Sequence, residues 1–567
     1  MPDDLPRALS ALLDSRGFTD PAALRLRLSW QPEDLLDRIL DPSGMKGFDR
    51  AVEILLSAKE KHETVVIHGD YDVDGMTGTA LLWLSLRRAG LQCGWTLPRR
   101  DGEGYGLSDA SLDRCLRGEG VEGLPEGADP RATWVVSVDT GVTAGPQIGR
   151  ARAKGLGVIV TDHHLPGESF PDQAEVLLDP HQEGCAYGNK GLCGAGLAWK
   201  LGRAVLEATG AAQASDPLRL LQLVALGTLA DMVPLTEENI ALVRLGLREL
   251  HERPLPGIEE LLLNAKIKPG TVPHGQEIVF RVTPRLNSAG RMRQGELAIR
   301  LLLSANAEEA RRWMDELEDL NQKRQQLDQR ITAEAMAQAQ ARCGAGGEPP
   351  QAFVLSGDNW HEGVSGIVAQ RIAERFGRPV FVLAPDPGQP SEWRGSGRSV
   401  PGTDLHVALS RCAHLLEKWG GHAQAAGLSL RRDKAELFRA EFLRAIEDAR
   451  AGAAGPGPAG ECRADLAEMD ADLLGWLEKL EPWGPANPAP LFWTDSVKIV
   501  SFSRVGEGKH LRISVRQDDH DVDGIGFGLG GHASRLSAGQ SVCLAYQPEW
   551  NEFRGRKQVQ LRIKEIT

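Results

Sequence analysis

Between His68 and Asp74 an imidazole and three carboxylates occupy alternate positions, His68-Gly-Asp70-Tyr-Asp72-Val-Asp74, with Gly75 next. They follow directly on the apolar run Thr64-Val65-Val66-Ile67. A short Val/Ile run ending in polar residues reads as a buried strand that delivers side chains to its C-terminal edge. Alternate residues of an extended chain share a face, so His68, Asp70, Asp72 and Asp74 are expected to point the same way. Gly75 then permits a sharp exit into a helix over 77–86. Carboxylates crowded on one edge repel one another unless a cation sits among them, and an oxygen-rich site with one imidazole suits Mg2+ or Mn2+ better than Zn2+. On this stretch alone, an acidic turn with solvated side chains is the competing reading.

Two further strands repeat the pattern. Trp134-Val-Val-Ser-Val138 ends in Asp139-Thr140-Gly141, and Val158-Ile-Val160 ends in Thr161-Asp162-His163-His164. Strands alternating with helical stretches imply a parallel, doubly wound sheet, in which function collects at the carboxyl ends of the strands. Asp231 closes the apolar segment from Leu218 to Ala230. An ionised carboxylate there needs a partner to offset its burial, and a metal ion supplies one.

The order His68-x-x-x-Asp72-x-Asp74, then Asp139, then Asp162-His163-His164, then Asp231 resembles the DHH phosphoesterase superfamily. The flanking words Gly69-Asp-Tyr-Asp-Val-Asp-Gly75, Glu103-Gly-Tyr-Gly-Leu107, Val224-Ala-Leu-Gly-Thr-Leu-Ala-Asp231, Pro284-Arg-Leu-Asn-Ser-Ala-Gly-Arg291 and Gly420-Gly-His-Ala423 are similar to the RecJ family of single-strand-specific exonucleases. The likeness runs from roughly residue 45 to the end of the chain. It implies two-metal phosphodiester hydrolysis, with His68, Asp72 and Asp139 on one ion and Asp74, Asp139, His163 and Asp231 on the other. Mn2+ is expected ahead of Mg2+ because imidazole ligands move preference away from Mg2+. His164 is then expected to face the phosphoryl oxygen, while Asp70 and Asp162 orient the ligands.

The elements that must position these groups can be read from pattern. At 567 residues the chain is too long for one core and should hold three or four domains. Hydrophobic content of 41% and charged content of 25% are ordinary for a globular protein. The acidic start and the lack of a long apolar run give no sign of a leader or a membrane span, and the eight Cys contain no CxxC pair. A reducing, cytoplasmic setting without a zinc ribbon or disulfide framework is expected. A net charge of −13 argues against a protein that coats nucleic acid with its whole surface, so any such binding uses local basic patches.

Residues 1–45 read as short helices with no chemistry, and 46–303 as the DHH domain. The stretch 304–343 lacks Gly and Pro and repeats apolar residues with helical period, implying one long helix. Its Arg311, Arg312, Lys323, Arg324 and Arg330 read as a solvated face or a channel lining. A second α/β unit is expected over 344–455, with loops carrying Arg394-Gly-Ser396-Gly-Arg398 and Gly420-Gly421-His422. Glycines let backbone N–H groups approach phosphate, Ser donates, and Arg binds bidentately. The resemblance makes this unit the DHH-associated domain, facing the metal centre across a cleft. His361 belongs either to that wall or to the local structure.

A linker over 451–460 leads into 456–567, where short apolar alternations suggest a small barrel resembling an OB-fold. From Lys498 onward there are 11 Lys plus Arg against 8 Asp plus Glu, with Phe502, Phe527 and Phe553 interleaved. That balance suits stacking of bases and neutralisation of a backbone. The barrel ends only a few residues before Thr567, which leaves room for a further domain.

An exonuclease must reject continuous strand on one side, most simply with an end-phosphate pocket. Arg394, Ser396 and Arg398 are expected there, with Arg285, Asn287, Arg291, Gly421 and His422 on neighbouring phosphates and Tyr105 on a base or sugar. The resemblance alone implies 5′→3′ polarity, 5′-mononucleotide products, a role in DNA repair and recombination, and partners such as a single-strand-binding protein or a helicase. Two competing functions are a DHH phosphoesterase for short oligonucleotides or small phosphorylated substrates, which needs no barrel, and a non-catalytic DNA-binding relative, which would lack ligands that this chain keeps.

Overall fold

Near the N-terminus two short helices, α1 (Arg7–Ser15) and α2 (Pro21–Leu28), bury Leu9, Leu12, Leu13 and Leu24 not against the domain that follows but in the core of the C-terminal barrel. The computed structural model describes residues 5–99, 106–167, 169–344, 347–449, 460–553 and 556–567. The linker expected over 451–460 falls outside them except for Gly460. No helix among the described residues is long and apolar enough to cross a membrane.

The first sheet has five strands: β1 (Val65–Gly69), β2 (Cys93–Thr96), β3 (Trp134–Val138), β4 (Gly157–Thr161) and β5 (Val176–Leu178). All pair in parallel, in the order β2-β1-β3-β4-β5. Helices on both faces bury these strands almost completely, which is why their sequences are continuous apolar runs rather than alternations. The order reverses between β1 and β3, the switch point where an open parallel sheet leaves a crevice beyond its carboxyl edge.

The flanking helices include α3 (Val73–Arg88), α4 (Gly194–Ala208), α5 (Leu221–Asp231), α6 (Glu237–Glu252) and α7 (Thr283–Arg291). Helix α3 begins at Val73, not Thr77. This corrects the expectation that His68, Asp70, Asp72 and Asp74 line one extended face, because the strand ends at Gly69 and Asp74 already sits in a helix.

A 35-residue helix, α8 (Ala307–Ala341), carries a buried stripe that serves two cores in turn. Ala310, Met314, Leu317 and Leu320 pack into the first domain, while Ile331, Ala335 and Ala339 pack into the second. Of its expected channel cations, Arg324 is buried beside Asn321 and Asp328, and the exposed Arg311 pairs with Glu260.

The second sheet is mixed, ordered β6-β7-β8-β10-β9, from β6 (Phe353–Ser356), β7 (Val380–Asp386), β8 (Gln389–Arg398), β9 (Lys418–Gly421) and β10 (Ala425–Arg431). Helix α9 (Glu362–Phe376) covers one face, and α10 (Leu405–Cys412) with α11 (Ala435–Ala449) the other. The stretch Arg394–Arg398, expected as a loop, is the end of β8. Its glycines are required by packing: a Cβ on Gly397 would lie 2.4 Å from Phe381, and one on Gly395 2.6 Å from Leu383. Trp393 joins those residues in the core, so Arg394, Ser396 and Arg398 alternate onto the opposite face.

The C-terminal domain closes β12 (Phe492–Val505), β13 (His510–Gln517), β14 (His520–Gly526), β15 (Ser541–Phe553) and β16 (Arg556–Ile566) into a barrel through the β12–β15 pairing. Strand β14 was not foreseen, because its Asp- and Gly-rich sequence reads as a turn. Short β11 (Cys462–Arg463) and helix α12 (Ala471–Leu480) complete the domain. The expected architecture is therefore the observed one: a parallel α/β domain, a long helix, a second α/β domain and an OB-type barrel. Because α1 packs on β11 and α12 as part of the C-terminal core, Leu12→Ala should destabilise the C-terminal domain by about 2–5 kcal/mol. Thermal unfolding monitored through a barrel probe should show this loss, with the signal of the first domain unmoved.

Candidate active site and metal centre

The turn after β1 is built by two glycines. A Cβ on Gly69 would lie 1.9 Å from the Thr79 hydroxyl, and one on Gly75 would lie 2.6 Å from the Asp70 carbonyl. Asp72 then caps α3, its Oδ1 accepting the Gly75 N–H at 2.9 Å. Asp74, in the first turn, is 1% exposed. Its oxygens accept the first N–H groups of α4, Gly194 at 2.6 Å and Ala195 at 2.9 Å, so the positive end of that helix supports its charge. Close approach demands glycine here too, since a Cβ on Gly227 would stand 2.4 Å from Asp74 Oδ1.

Asp139 leaves β3 with φ of 63°, a left-handed conformation that turns its carboxylate into the centre of the site. Both oxygens are buried without a hydrogen-bond donor, as is Nε2 of His163. That nitrogen lies 2.9 Å from Asp139, 3.6 Å from Asp231 and 3.7 Å from Asp74. Potential ligand atoms gather in three overlapping groups, each within 4.8 Å: Asp70, Asp72 and Asp139; Asp74, His163 and Asp231; and Asp139, His163 and His164. Asp139 joins the first group to the third. His68 is fully buried within β1 and belongs to none of these groups, whereas Asp70, expected only to orient ligands, stands among the ligand atoms.

The electrostatics fit divalent cations. Burial, then the neighbouring carboxylates, pushes Asp139 well above the ordinary carboxylate range. Asp231 is driven up to about 8 by burial and by Asp74 and Asp72. Burial raises Asp74 as well, and it lowers His163, which favours the neutral imidazole that a metal needs. A cluster of carboxylates that holds protons for want of positive charge, around buried oxygens that meet no donor, has the donor set of a Mn2+ or Mg2+ site.

Asp162 plays a different part. Its Oδ1 meets the backbone N–H of His163 at 2.8 Å and Nδ1 of His164 at 2.7 Å, while Oδ2 accepts from Val142 N at 2.8 Å. Burial pushes Asp162 up, but these bonds and the His164 charge outweigh it and hold it below the ordinary range. In return the hydrogen bond raises His164 to about 9. The His164 side chain is 56% exposed, presented at the mouth of the site.

A cavity of about 270 Å³ adjoins the cluster. Tyr71 and Asp72 line one side; facing them are Asn287 and Arg291 of α7, Ser365 and Gly366 of α9, and Arg394, Ser396 and Arg398 of β8, together with Glu362, which Arg293 holds at 2.7 Å. Arg398 is lowered by burial alone, and among the described residues no carboxylate pairs with it. Buried Asp386 steadies Arg394 at 2.7 Å. Gly366 keeps the wall open, since its Cβ would fall 3.0 Å from Arg398 Nη2.

Three expected residues are not brought to this cavity. Arg285 turns away to Asn264 at 2.6 Å and Glu318 at 3.1 Å, because positions 287 and 291 share a helix face that 285 does not. Gly421, with φ of 131°, makes the tight turn between β9 and β10, where His422 N donates to Ala425 O, so neither reaches the pocket. His361 caps α9, accepting from Gly363 N at 3.0 Å. Tyr105 lies outside the described residues. Tyr71, Ser365 and Gly366 were missed, although small residues opening a predicted helix were a readable signal for the last two.

The chain matches three family models: the DHH family N-terminal domain over 64–228, the DHHA1 domain over 350–448 and the RecJ OB domain over 461–565. Proteins named single-stranded-DNA-specific exonuclease RecJ are similar along its length. That of Salmonella typhimurium is 35% identical, covering 100% of this chain and 96% of its own, and that of Bacillus subtilis is 32% identical over 98% and 67%. The crystal structure of RecJ from Thermus thermophilus in complex with Mn2+ superposes with a TM-score of 0.79 at 28% identity, covering 98% of this chain and 75% of that one. The Mg2+ complex gives 0.74 at 26%, over 99% and 74%.

The raised carboxylates have a measurable consequence. As pH rises from about 4 to about 8, the unfolded chain releases protons that the folded cluster keeps, so metal-free stability falls across that window. Divalent cations replace those protons. The rise in Tm that Mn2+ gives over EDTA should therefore be larger near pH 8 than near pH 5, and equal shifts would contradict this account of the cluster.

Proposed function

The chain belongs to the RecJ family of single-stranded-DNA-specific exonucleases, and we propose that it degrades single-stranded DNA from the 5′ end with two divalent cations, Mn2+ ahead of Mg2+, releasing 5′-mononucleotides. The observation that carries this reading is a cavity in which Asp72 of the acidic cluster faces Arg291, Arg394, Ser396 and Arg398. A half-buried guanidinium with no carboxylate partner among the described residues suits a terminal phosphate, and its fixed place beside the cluster suits cleavage at the next phosphodiester.

Asp70, Asp72 and Asp139 would hold one cation, with Asp70 in the place first given to His68. Asp74, Asp139, His163 and Asp231 would hold the other. When bound, the pair supplies Lewis acidity that activates a nucleophilic water and offsets charge on the phosphoryl oxygens. Asp162 fixes the ring of His164 and keeps it protonated near neutrality, so His164 can stabilise the phosphoryl oxygen and give its proton to the departing 3′ oxygen. The shortened strand again ends in a 5′ phosphate, and the same pocket receives it. The barrel favours a polynucleotide over a small phosphorylated substrate, because a small substrate would gain nothing from it. Single-strand-binding proteins and helicases are the partner classes suited to an enzyme that must be handed an unpaired end in repair or recombination.

End-labelled single-stranded DNA tests the reading. With Mn2+ the 5′ label should leave first, EDTA should stop the reaction, and Asp139→Ala should lower kcat by more than about 100-fold. Loss of the 3′ label first would overturn the polarity, and undiminished turnover by the variant would overturn the metal scheme. Arg398→Gln should raise KM for 5′-phosphorylated strands while leaving strands with a 5′ hydroxyl almost unaffected; equal effects on both would remove Arg398 from the phosphate pocket.

A further inference from the structure

Arg244, on α6, is fully buried, and among the described residues no carboxylate lies within ion-pair distance of it. Its guanidinium instead donates to four backbone carbonyls: Nε to Glu481 at 2.7 Å, Nη1 to Arg27 at 2.7 Å and Ser29 at 2.9 Å, and Nη2 to Lys479 at 2.7 Å. The ring of Trp30 lies against it, 4.9 Å from centroid to Cζ. These carbonyls come from the C-terminal ends of α2 and α12. The last carbonyls of a helix lack partners within it and carry the negative end of its dipole. A single cation from the catalytic domain thus satisfies two helix ends that both belong to the barrel's core.

The joint around Arg244 lies close to the chemistry. The segment following Asp231 enters it directly, Leu235 N donating to Pro485 O at 2.8 Å, and Glu237 at the start of α6 pairs with Arg27 at 2.7 Å. Two cavities of about 300 and 250 Å³ adjoin it and share Gln276, Trp483 and Ala489. The first reaches Thr228 and Met232, flanking Asp231, and the second reaches Trp550 and Arg562 on the barrel. Catalytic domain and barrel therefore both wall the groove that these adjoining cavities make, and its alignment depends on how the two bodies are held.

We propose that Arg244 is a positioning residue for the reaction: by fixing the bearing of the barrel on the catalytic domain, it aligns the groove and sets the affinity for strand beyond the reacting nucleotides. It touches no substrate itself. The inference rests on the exonuclease reading above.

The test uses the full chain with Mn2+ and two substrates, strands of about 40 and about 4 nucleotides, the shorter too small to engage catalytic cleft and barrel together. Arg244→Gln should raise KM for the long strand about ten-fold, leaving its kcat and both constants for the short strand unchanged. Arg244→Lys, which keeps the charge but loses the planar fork, should recover part of that loss. Glu237→Gln, on the exposed margin of the joint, should move long-strand KM in the same direction by less, and it decides the matter if the Arg244 variants do not fold. An unchanged long-strand KM, or an equal loss of kcat on both substrates, would overturn the proposal. A wild-type chain that cuts neither strand would overturn the exonuclease reading instead.

Discussion

Like charges brought together away from water are the constraint on which the rest of this molecule depends. Asp70, Asp72 and Asp74 from one turn, Asp139 from the end of β3 and Asp231 from the end of α5 meet at one point, where burial and neighbouring carboxylates make Asp74, Asp139 and Asp231 harder to ionise. Nothing in that arrangement is self-stabilising. It is imposed by parallel strands ending at a common edge, by the start of α4 aimed at Asp74, and by glycines at 69, 75 and 227 where any side chain would collide with the site. The regularity of the fold holds the cluster together, and the cluster then becomes a receptor for divalent cations.

The facing wall gathers positive charge and leaves part of it unneutralised. Arg398 is shielded and unpaired with acid among the described residues, while Arg394 is steadied by Asp386. Helix α8 contributes to both domain cores, so the distance between acidic and basic walls follows from the packing of one continuous rod rather than from a loose hinge. Cluster and pocket are read by a nucleic acid together, one holding the end and the other addressing the adjacent linkage.

Much of this was legible in residue order because each functional group follows a strand or helix whose apolar run is unmistakable. That pattern located Asp139, Asp162, His163 and Asp231 without any three-dimensional information. What escaped was set by tertiary contacts. Alternation placed His68 and Asp70 alike on an extended edge, but the early start of α3 moved Asp70 among the ligand atoms and left His68 in the sheet. The glycines of β8 read as loop residues, since the side chains that exclude a Cβ there, Phe381 and Leu383, come from another strand. Arg285 shows the opposite case: helical spacing from Asn287 and Arg291 was enough to set it aside, had the helix been recognised first. The seating of α1 and α2 in a barrel assembled from the far end of the chain has no local signature at all.

Strand β8 couples correct folding to recognition. Its Trp393, Gly395 and Gly397 fit one face and its Arg394, Ser396 and Arg398 the other, so a slip of a single residue against β7 or β10 would drive two guanidinium groups into an aromatic interior and turn an indole and two bare glycines to the cleft. Misregistered molecules would thus fail to pack at the very strand that would have failed to bind. The sheet proofreads its own ligand face as it forms.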